Sequence, residues 1–122
     1  TLVGKKILVV DDLEDNHDLI HKFLESTEAD LLSVLSGEKA IEAVGNESFD
    51  LVLMDVQMPV MDGLETTREL RKMGYSKPIL SLTAYTSHED AERCREAGCT
   101  GVLTKPVDRV KLITTLNTFL AK

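Results

Sequence analysis

The chain has 122 residues, which predicts one domain with enough core to fold without disulfide or metal cross-links. Hydrophobic residues make up 43% and charged residues 29%, as in ordinary globular proteins, and the net charge of −7 argues against general affinity for nucleic acids or anionic membranes. The sequence has no signal peptide and no apolar run near the roughly 20 residues of a membrane span, so we expect a cytoplasmic domain. Cys94 and Cys99 lack the spacing of a zinc site, so we expect reduced, partly buried thiols.

The first part of the chain alternates strand-like and helix-like segments. Residues 5–10 (KKILVV) predict a buried strand that ends in paired acids. The residues that predict a helix over 14–25, by apolar recurrence at helical spacing, are Leu19, Ile20, Phe23 and Leu24. Residues 30–35 (DLLSVL) predict a second strand, weaker and more edge-like. A break at Ser36 precedes a short helix over residues 38–44.

The central stretch, residues 49–63 (FDLVLMDVQMPVMDG), predicts a third strand and a stiff loop. Residues 51–54 are apolar without alternation, which indicates a strand buried on both faces of a parallel sheet. Asp55 follows at the carboxyl end, where open α/β sheets place their ligands. Asp62 is suited to cap the next helix, whose predicted apolar face is Leu64, Thr67, Leu70 and Met73, and Gly74 ends it.

The last part continues the same alternation. Residues 78–82 (PILSL) predict a fourth strand, followed by a helix over residues 87–97 with Ser87 as its N-cap. A short fifth strand over residues 102–104 leads into a final helix over residues 108–120. Five βα units in alternation predict an α/β fold, with a parallel sheet covered by helices on both faces.

Polar residues without an obvious structural reason follow the ends of four different strands. They are Asp11 and Asp12, Asp55, Thr83 and Lys105. Parallel strands bring these ends to one edge of the sheet, and if the strand order is 2-1-3-4-5, the strands before Asp11 and Asp55 are neighbours.

Such a set suits phosphoryl transfer. Three converging carboxylates repel one another, and a hard divalent cation such as Mg²⁺ relieves that repulsion. Lys105 supplies a positive charge and Thr83 a hydroxyl, which fit the oxygens of a transferring phosphoryl group. Asp55 is then the nucleophile.

Each residue taken alone has a structural interpretation. Asp11 and Asp12 suit a turn, Asp55 a cap, Thr83 a strand end and Lys105 a solvated surface. Their joint occurrence at four strand ends favours a functional site.

With these residues in place, the chain resembles the receiver domain of two-component response regulators over its whole length. The matching stretches are VVDD at 9–12, LMDVQMPVMDG at 53–63, SLTAY at 81–85 and TKPV at 104–107. The resemblance implies a single receiver domain over residues 1–122 with a flavodoxin-like (βα)5 doubly wound parallel sheet in strand order 2-1-3-4-5.

The resemblance also implies a role for each site residue. Asp55 accepts a phosphoryl group from the phosphohistidine of a histidine kinase or histidine phosphotransfer protein. Asp12, Asp55 and the backbone carbonyl of Gln57 bind Mg²⁺, with Asp11 acting through water. Lys105 pairs with the phosphate and Thr83 hydrogen-bonds it.

Further positions follow from the same resemblance. The family usually has a cis peptide before the proline that is Pro106 here. Gln57 and Tyr85 match positions that tune how fast the phosphate is lost.

Val102 departs from the family pattern. The position three before the lysine is commonly Tyr or Phe, an aromatic switch coupled to the threonine, whereas Val102 has a small, stiff side chain. Output is therefore expected to depend on Thr83, the loop after it and the fourth helix, with Tyr85 as a substitute aromatic contact. The resemblance implies an effector surface formed by the fourth helix, fifth strand and fifth helix, which serves homodimers in some receivers, with no direct contact to nucleic acid or membrane.

Three alternatives remain open from the sequence. A phosphatase with an Asp nucleophile would carry a second Asp two residues after Asp55, where this chain has Gln57. A degenerate receiver that binds partners without phosphorylation is disfavoured by the intact acids, Thr83 and Lys105. The wording QMPVMDG and the lack of an output domain after the fifth helix lead us to expect the receiver of a hybrid sensor kinase, with a free-standing regulator or a receiver trimmed from a longer regulator as the alternatives. In each case we expect a switch that catalyses only its own phosphotransfer and has no external product chemistry.

Overall fold

The structure, a computed structural model, describes residues 2–56, 62–83, 88–104 and 108–120. The strands are β1 (Lys6–Val10), β2 (Asp30–Val34), β3 (Leu51–Asp55), β4 (Ile79–Thr83) and β5 (Gly101–Thr104). The helices are α1 (Glu14–Leu24), α2 (Gly37–Asn46), α3 (Gly63–Lys72), α4 (His88–Ala97) and α5 (Arg109–Leu120), with a 3₁₀ turn at Glu25–Thr27. All the predicted elements are present, and their bounds differ from the predicted ones by at most two residues.

The five strands form one parallel sheet in the order β2-β1-β3-β4-β5, which confirms the predicted fold class. The chain crosses from β1 outward to β2 and then back to β3 on the other side of β1. The carboxyl ends of β1 and β3 therefore lie side by side at the point where the winding reverses. Ligands bind at this place in open α/β sheets.

Each face of the sheet carries its own core because successive side chains of a strand point to opposite faces. On one face, Ile7, Val9, Leu51 and Leu53 pack with α1 and α5. On the other face, Leu8, Val10, Val52 and Met54 pack with α2 and α3. All five residues of β3 are buried, as its unbroken apolar sequence predicted, while β2 lies at the edge and is only half-buried.

Two predicted apolar positions are wrong. Leu19 is 43% exposed because the buried face of α1 runs through His17, Ile20 and Leu24, one step away from it. Met73 is 45% exposed because α3 ends at Lys72, so this side chain no longer follows the helical stripe.

The start and end of α3 follow the predicted signals. The Asp62 carboxylate accepts a hydrogen bond from the backbone N–H of Glu65 at 2.9 Å, which satisfies one free amide of the first turn. Gly74, just beyond the helix, has φ +95°, a conformation that favours glycine.

Both cysteines are free and buried, as the sequence predicted. The Sγ of Cys99 lies 2.6 Å from the Ser81 hydroxyl oxygen, and burial raises the pKa of the Cys99 thiol. No helix in the described part of the chain is long and apolar enough to cross a membrane.

We expect Cys94 and Cys99 to resist iodoacetamide in the folded protein at about pH 8 and to react fully after unfolding in guanidinium. The thiolate is the reactive form, and both burial and the raised pKa of Cys99 reduce its accessible fraction. Intact mass against time measures the labelling. Rapid addition of two adducts under native conditions would contradict the buried placement.

Candidate functional site

The strand register places the predicted acids at one edge of the sheet. Val10 pairs with Met54, so Asp11 and Asp55 are the next residues on neighbouring strands. Asp55 in turn pairs with Leu82, and Thr83 follows one residue further along β4. Asp55 is 2% exposed and Thr83 is 3% exposed, so both lie beneath the surface of this edge.

Three carboxylates converge there. One oxygen each from Asp11, Asp12 and Asp55 lies within 4.8 Å of the other two. Asp11 and Asp55 are buried and Asp12 is half-buried, so the cluster opens to solvent on the side of Asp12. Several carboxylate oxygens in a small, partly desolvated space form a donor set that fits a hard divalent cation such as Mg²⁺.

Asp11 is fixed by hydrogen bonds at every polar group. Its backbone N–H donates to the Val34 carbonyl at 3.2 Å. Its Oδ1 accepts from the Leu13 backbone N–H and its Oδ2 from the Asn16 side-chain amide, both at 3.0 Å. Its carbonyl oxygen lies 2.8 Å from Nε2 of His17, and because a carbonyl only accepts, that nitrogen carries the proton.

Asp12 is held differently. Within the described part of the chain its side chain has no hydrogen-bond or ion-pair partner. Two adjacent acids of the same type therefore differ in freedom, with Asp11 rigid and buried and Asp12 half-exposed and available to a ligand.

The amino end of α3 lies directly against the end of β3. The Val56 N–H donates to the Leu82 carbonyl at 3.1 Å, and the Gly63 N–H donates back to the Val56 carbonyl at 3.0 Å. A Cβ on residue 63 would lie 2.1 Å from the Asp55 carbonyl oxygen, so only glycine fits this approach. The helix thereby fixes the backbone that carries Asp55.

Comparison with known proteins identifies the family of this chain. Residues 7–117 match the family model described as response regulator receiver domain. The chain belongs to this family. This receiver domain is 37% identical, over 95% of its length, to the osmosensing histidine protein kinase SLN1 of Saccharomyces cerevisiae, and it spans 10% of that protein. It is 31% identical to the polar-differentiation response regulator DivK of Brucella ovis, covering 95% of this chain and 96% of that one.

Solved structures place this receiver domain in the same family. The receiver domain of sensor histidine kinase PA1611 from Pseudomonas aeruginosa superposes with a TM-score of 0.89 at 34% identity, covering 98% of this chain and all of that one. That structure holds a magnesium ion coordinated in its active-site cleft. The recognition of a two-component signalling domain from the sequence is therefore confirmed.

Several predicted site residues lie outside the described part of the receiver domain. They are Gln57, Tyr85, Lys105 and Pro106, together with the Ser87 N-cap. Their roles stay predictions. Val102 lies on the edge strand β5 and is 39% exposed.

Asn16 and His17 were missed by the sequence analysis. A helix that follows a strand directly presents its first turns at the edge where that strand ends, so polar residues there are candidates for contact with the acids. The polar run from Glu14 to Asp18 is the signal for this contact, and the apolar spacing that predicts α1 does not contain it.

Proposed function

We propose that this receiver domain is a phosphorylation-driven switch that accepts a phosphoryl group on Asp55 from the phosphohistidine of a histidine kinase or histidine phosphotransfer protein. The observation that carries the proposal is the placement of a buried Asp55 carboxylate within 4.8 Å of the Asp11 and Asp12 carboxylates. A nucleophile at the end of a central strand, beside acids that fit Mg²⁺, is what in-line phosphoryl transfer needs.

The transfer balances without any further reactant. A carboxylate oxygen of Asp55 forms a bond to phosphorus while the P–N bond of the donor breaks, and the leaving imidazole takes a proton from solvent. In this proposal Lys105 pairs with the phosphoryl oxygens, and the Thr83 hydroxyl donates a hydrogen bond to one of them. The domain then catalyses only its own phosphorylation and dephosphorylation.

The proposed metal ligands are Asp12, Asp55 and the backbone carbonyl of Gln57, with Asp11 acting through water. When bound, Mg²⁺ neutralises charge on the carboxylates and the phosphoryl oxygens. The hydrogen bonds on both Asp11 oxygens support an indirect role for that residue, and the unengaged Asp12 carboxylate supports a direct one.

Output is proposed to reach partners through α4, β5 and α5. Phosphorylation adds about −1.5 to −2 charge and roughly one to three charge-assisted hydrogen bonds at Asp55. Val56, the next residue, packs against a buried cluster of Leu64, Cys94, Ala97 and Cys99, which joins α3 to α4. A shift at the end of β3 therefore reaches α4 through direct packing contacts, and an aromatic side chain at position 102 is not required.

The parent protein is proposed to be a histidine kinase that carries this domain as its receiver. The similarity to SLN1 supports this reading, whereas DivK, matched over 96% of its length, supports a free-standing regulator. In either case we propose that the domain works in the cytoplasm, where its kinase or phosphotransfer partner lies, and that it contacts neither nucleic acid nor membrane.

The test of the proposed function is intact mass after incubation with acetyl phosphate or phosphoramidate, with and without Mg²⁺. We expect one added phosphoryl group that depends on Mg²⁺ and is removed by hydroxylamine, as an acyl phosphate is. If neither these donors nor a phosphohistidine donor modifies the chain, it is a degenerate receiver and the proposal is wrong.

We expect Asp12→Asn to stabilise the metal-free domain while removing its response to Mg²⁺. Loss of one of three neighbouring charges reduces repulsion by on the order of 1 kcal/mol. Native protein should gain about 2.7 kcal/mol of unfolding free energy at Mg²⁺ about 100 times its dissociation constant, and the variant far less.

Thermal unfolding with and without Mg²⁺ measures both effects of Asp12→Asn. Asp18→Asn is the matched control because Asp18 is exposed on α1, and it should behave like the native chain. An Asp12→Asn variant that keeps the full Mg²⁺ response would remove Asp12 from the ligand set.

A further inference from the structure

Two side chains of α1 hold Asp11 in place. Asn16 donates to the Asp11 carboxylate at 3.0 Å, and His17 donates to the Asp11 backbone carbonyl at 2.8 Å. The two contacts hold the side chain and the main chain of the same residue. Neither Asn16 nor His17 is among the residues that the proposed phosphoryl transfer uses.

His17 is not explained by packing alone. The residue is 5% exposed, and within the described part of the chain its Nδ1 is a buried atom without a hydrogen-bond partner. Burying a polar atom unpaired disfavours folding, and an apolar side chain of similar size would avoid this. The Nε2 contact to Asp11 is the interaction that a histidine supplies here and an apolar residue does not.

The hydrogen bonds that the Asp11 carboxylate accepts limit how this carboxylate can bind a cation. Each carboxylate oxygen already accepts one protein hydrogen bond, from Leu13 or from Asn16, so the carboxylate is held in one orientation and keeps one lone pair on each oxygen for another donor or an ion. Ca²⁺ takes six to eight oxygens and often a bidentate carboxylate, whereas Mg²⁺ is octahedral and keeps several of its waters. A rigid acid that accepts from a metal-bound water suits the smaller ion.

We propose that Asn16 and His17 are positioning residues that hold Asp11 as an indirect ligand and thereby make the site selective for Mg²⁺ over Ca²⁺. The inference rests on the proposed metal site. It assigns a role in metal selectivity to two residues of α1 that do not themselves bind the ion. Outer contacts of this kind commonly change metal affinity by about 10- to 100-fold when they are removed.

The experiment is calorimetric titration of the folded domain with MgCl₂ and with CaCl₂. For Asn16→Ala we expect the preference for Mg²⁺, taken as the ratio of the Ca²⁺ to the Mg²⁺ dissociation constant, to fall about tenfold. Asn117→Ala is the matched control, since Asn117 is exposed on α5, and it should keep the native ratio. His17→Leu should lower the ratio as well, and His17→Gln, which retains an N–H donor, should keep more of it.

The outcomes separate this inference from the proposed function. If the native domain binds neither ion, the proposed metal site fails and the inference fails with it. If the native domain binds Mg²⁺ but Asn16→Ala leaves the ratio unchanged, or weakens both ions equally, the metal site stands and the selectivity role is wrong. A lower melting temperature with an unchanged ratio likewise identifies a purely structural role. Asn16 is only half-buried, so its alanine variant decides the question even if His17→Leu does not fold.

Discussion

Asp55→Asn is expected to leave the domain folded but unable to take up a phosphoryl group from acetyl phosphate. An amide oxygen is a poor nucleophile, whereas the carboxylate attacks phosphorus directly. The two side chains have nearly the same volume, so the 2% exposed site accommodates the change without a cavity. Loss of one charge from the three-acid cluster also relieves repulsion, and we expect an unchanged or higher melting temperature.

Intact mass with and without Mg²⁺ measures uptake in the native chain and in Asp55→Asn. The matched control is Asp62→Asn, an identical substitution at the N-cap of α3. Asparagine caps a helix about as well as aspartate, so this variant should keep both its stability and its phosphorylation. If Asp55→Asn still gains the group, another acid is the acceptor and the assignment is wrong.

The fold was predictable because its determinants are local. The unbroken apolar sequence of β3 indicated burial on both faces, and the alternation of strands with helices required parallel pairing. Parallel pairing makes the strand ends converge, and that convergence predicts that Asp11, Asp12 and Asp55 lie close together. The strand order came from the family resemblance, because periodicity does not specify which strands are neighbours.

The hydrogen bonds within the site were not predictable from the sequence. Asp11 and Asp12 are adjacent and chemically identical, and the hydrogen bonds from α1 hold Asp11 alone, while the Asp12 side chain has no partner among the described residues. The apolar spacing of a helix also does not predict the burial of residues at the border of its buried face or at its end. Leu19 fitted the helical spacing but lies beside the buried stripe, and Met73 follows the last residue of α3.

Gly63 shows how a residue outside the reacting set can determine the geometry of Asp55. The sequence indicates a loop glycine beside the Asp62 cap, which is usually tolerant of alanine. In the structure a Cβ at this position would lie 2.1 Å from the Asp55 carbonyl oxygen and 2.8 Å from the Val56 Cα. Both neighbours are backbone atoms of the strand end, so neither can rotate away as a flexible side chain would.

We therefore expect Gly63→Ala to destabilise the domain by about 2–4 kcal/mol, at or above the usual range for overpacked sites. Relief of the clash requires α3 to move away from β3, which breaks the hydrogen bond from the Gly63 N–H to the Val56 carbonyl. Urea unfolding measures the loss. Gly45→Ala is the control because Gly45 lies within α2 and its Cβ would only reach ordinary contact with Met73 at 3.8 Å, so a gain of about 0.5–1 kcal/mol is expected there.

Gly63→Ala also tests whether α3 positions the phosphoryl acceptor Asp55. Displacement of a reacting group by about 1 Å can cost about 100-fold in rate, so a folded Gly63→Ala domain at low temperature should phosphorylate far more slowly than native protein. Added Mg²⁺ would restore stability in part without restoring that rate, because the ion binds the carboxylates and does not return the backbone of Asp55 to its place. A Gly63→Ala domain with native stability and native phosphorylation would instead mean that the strand end and helix start relax together, and that close contact with α3 is dispensable.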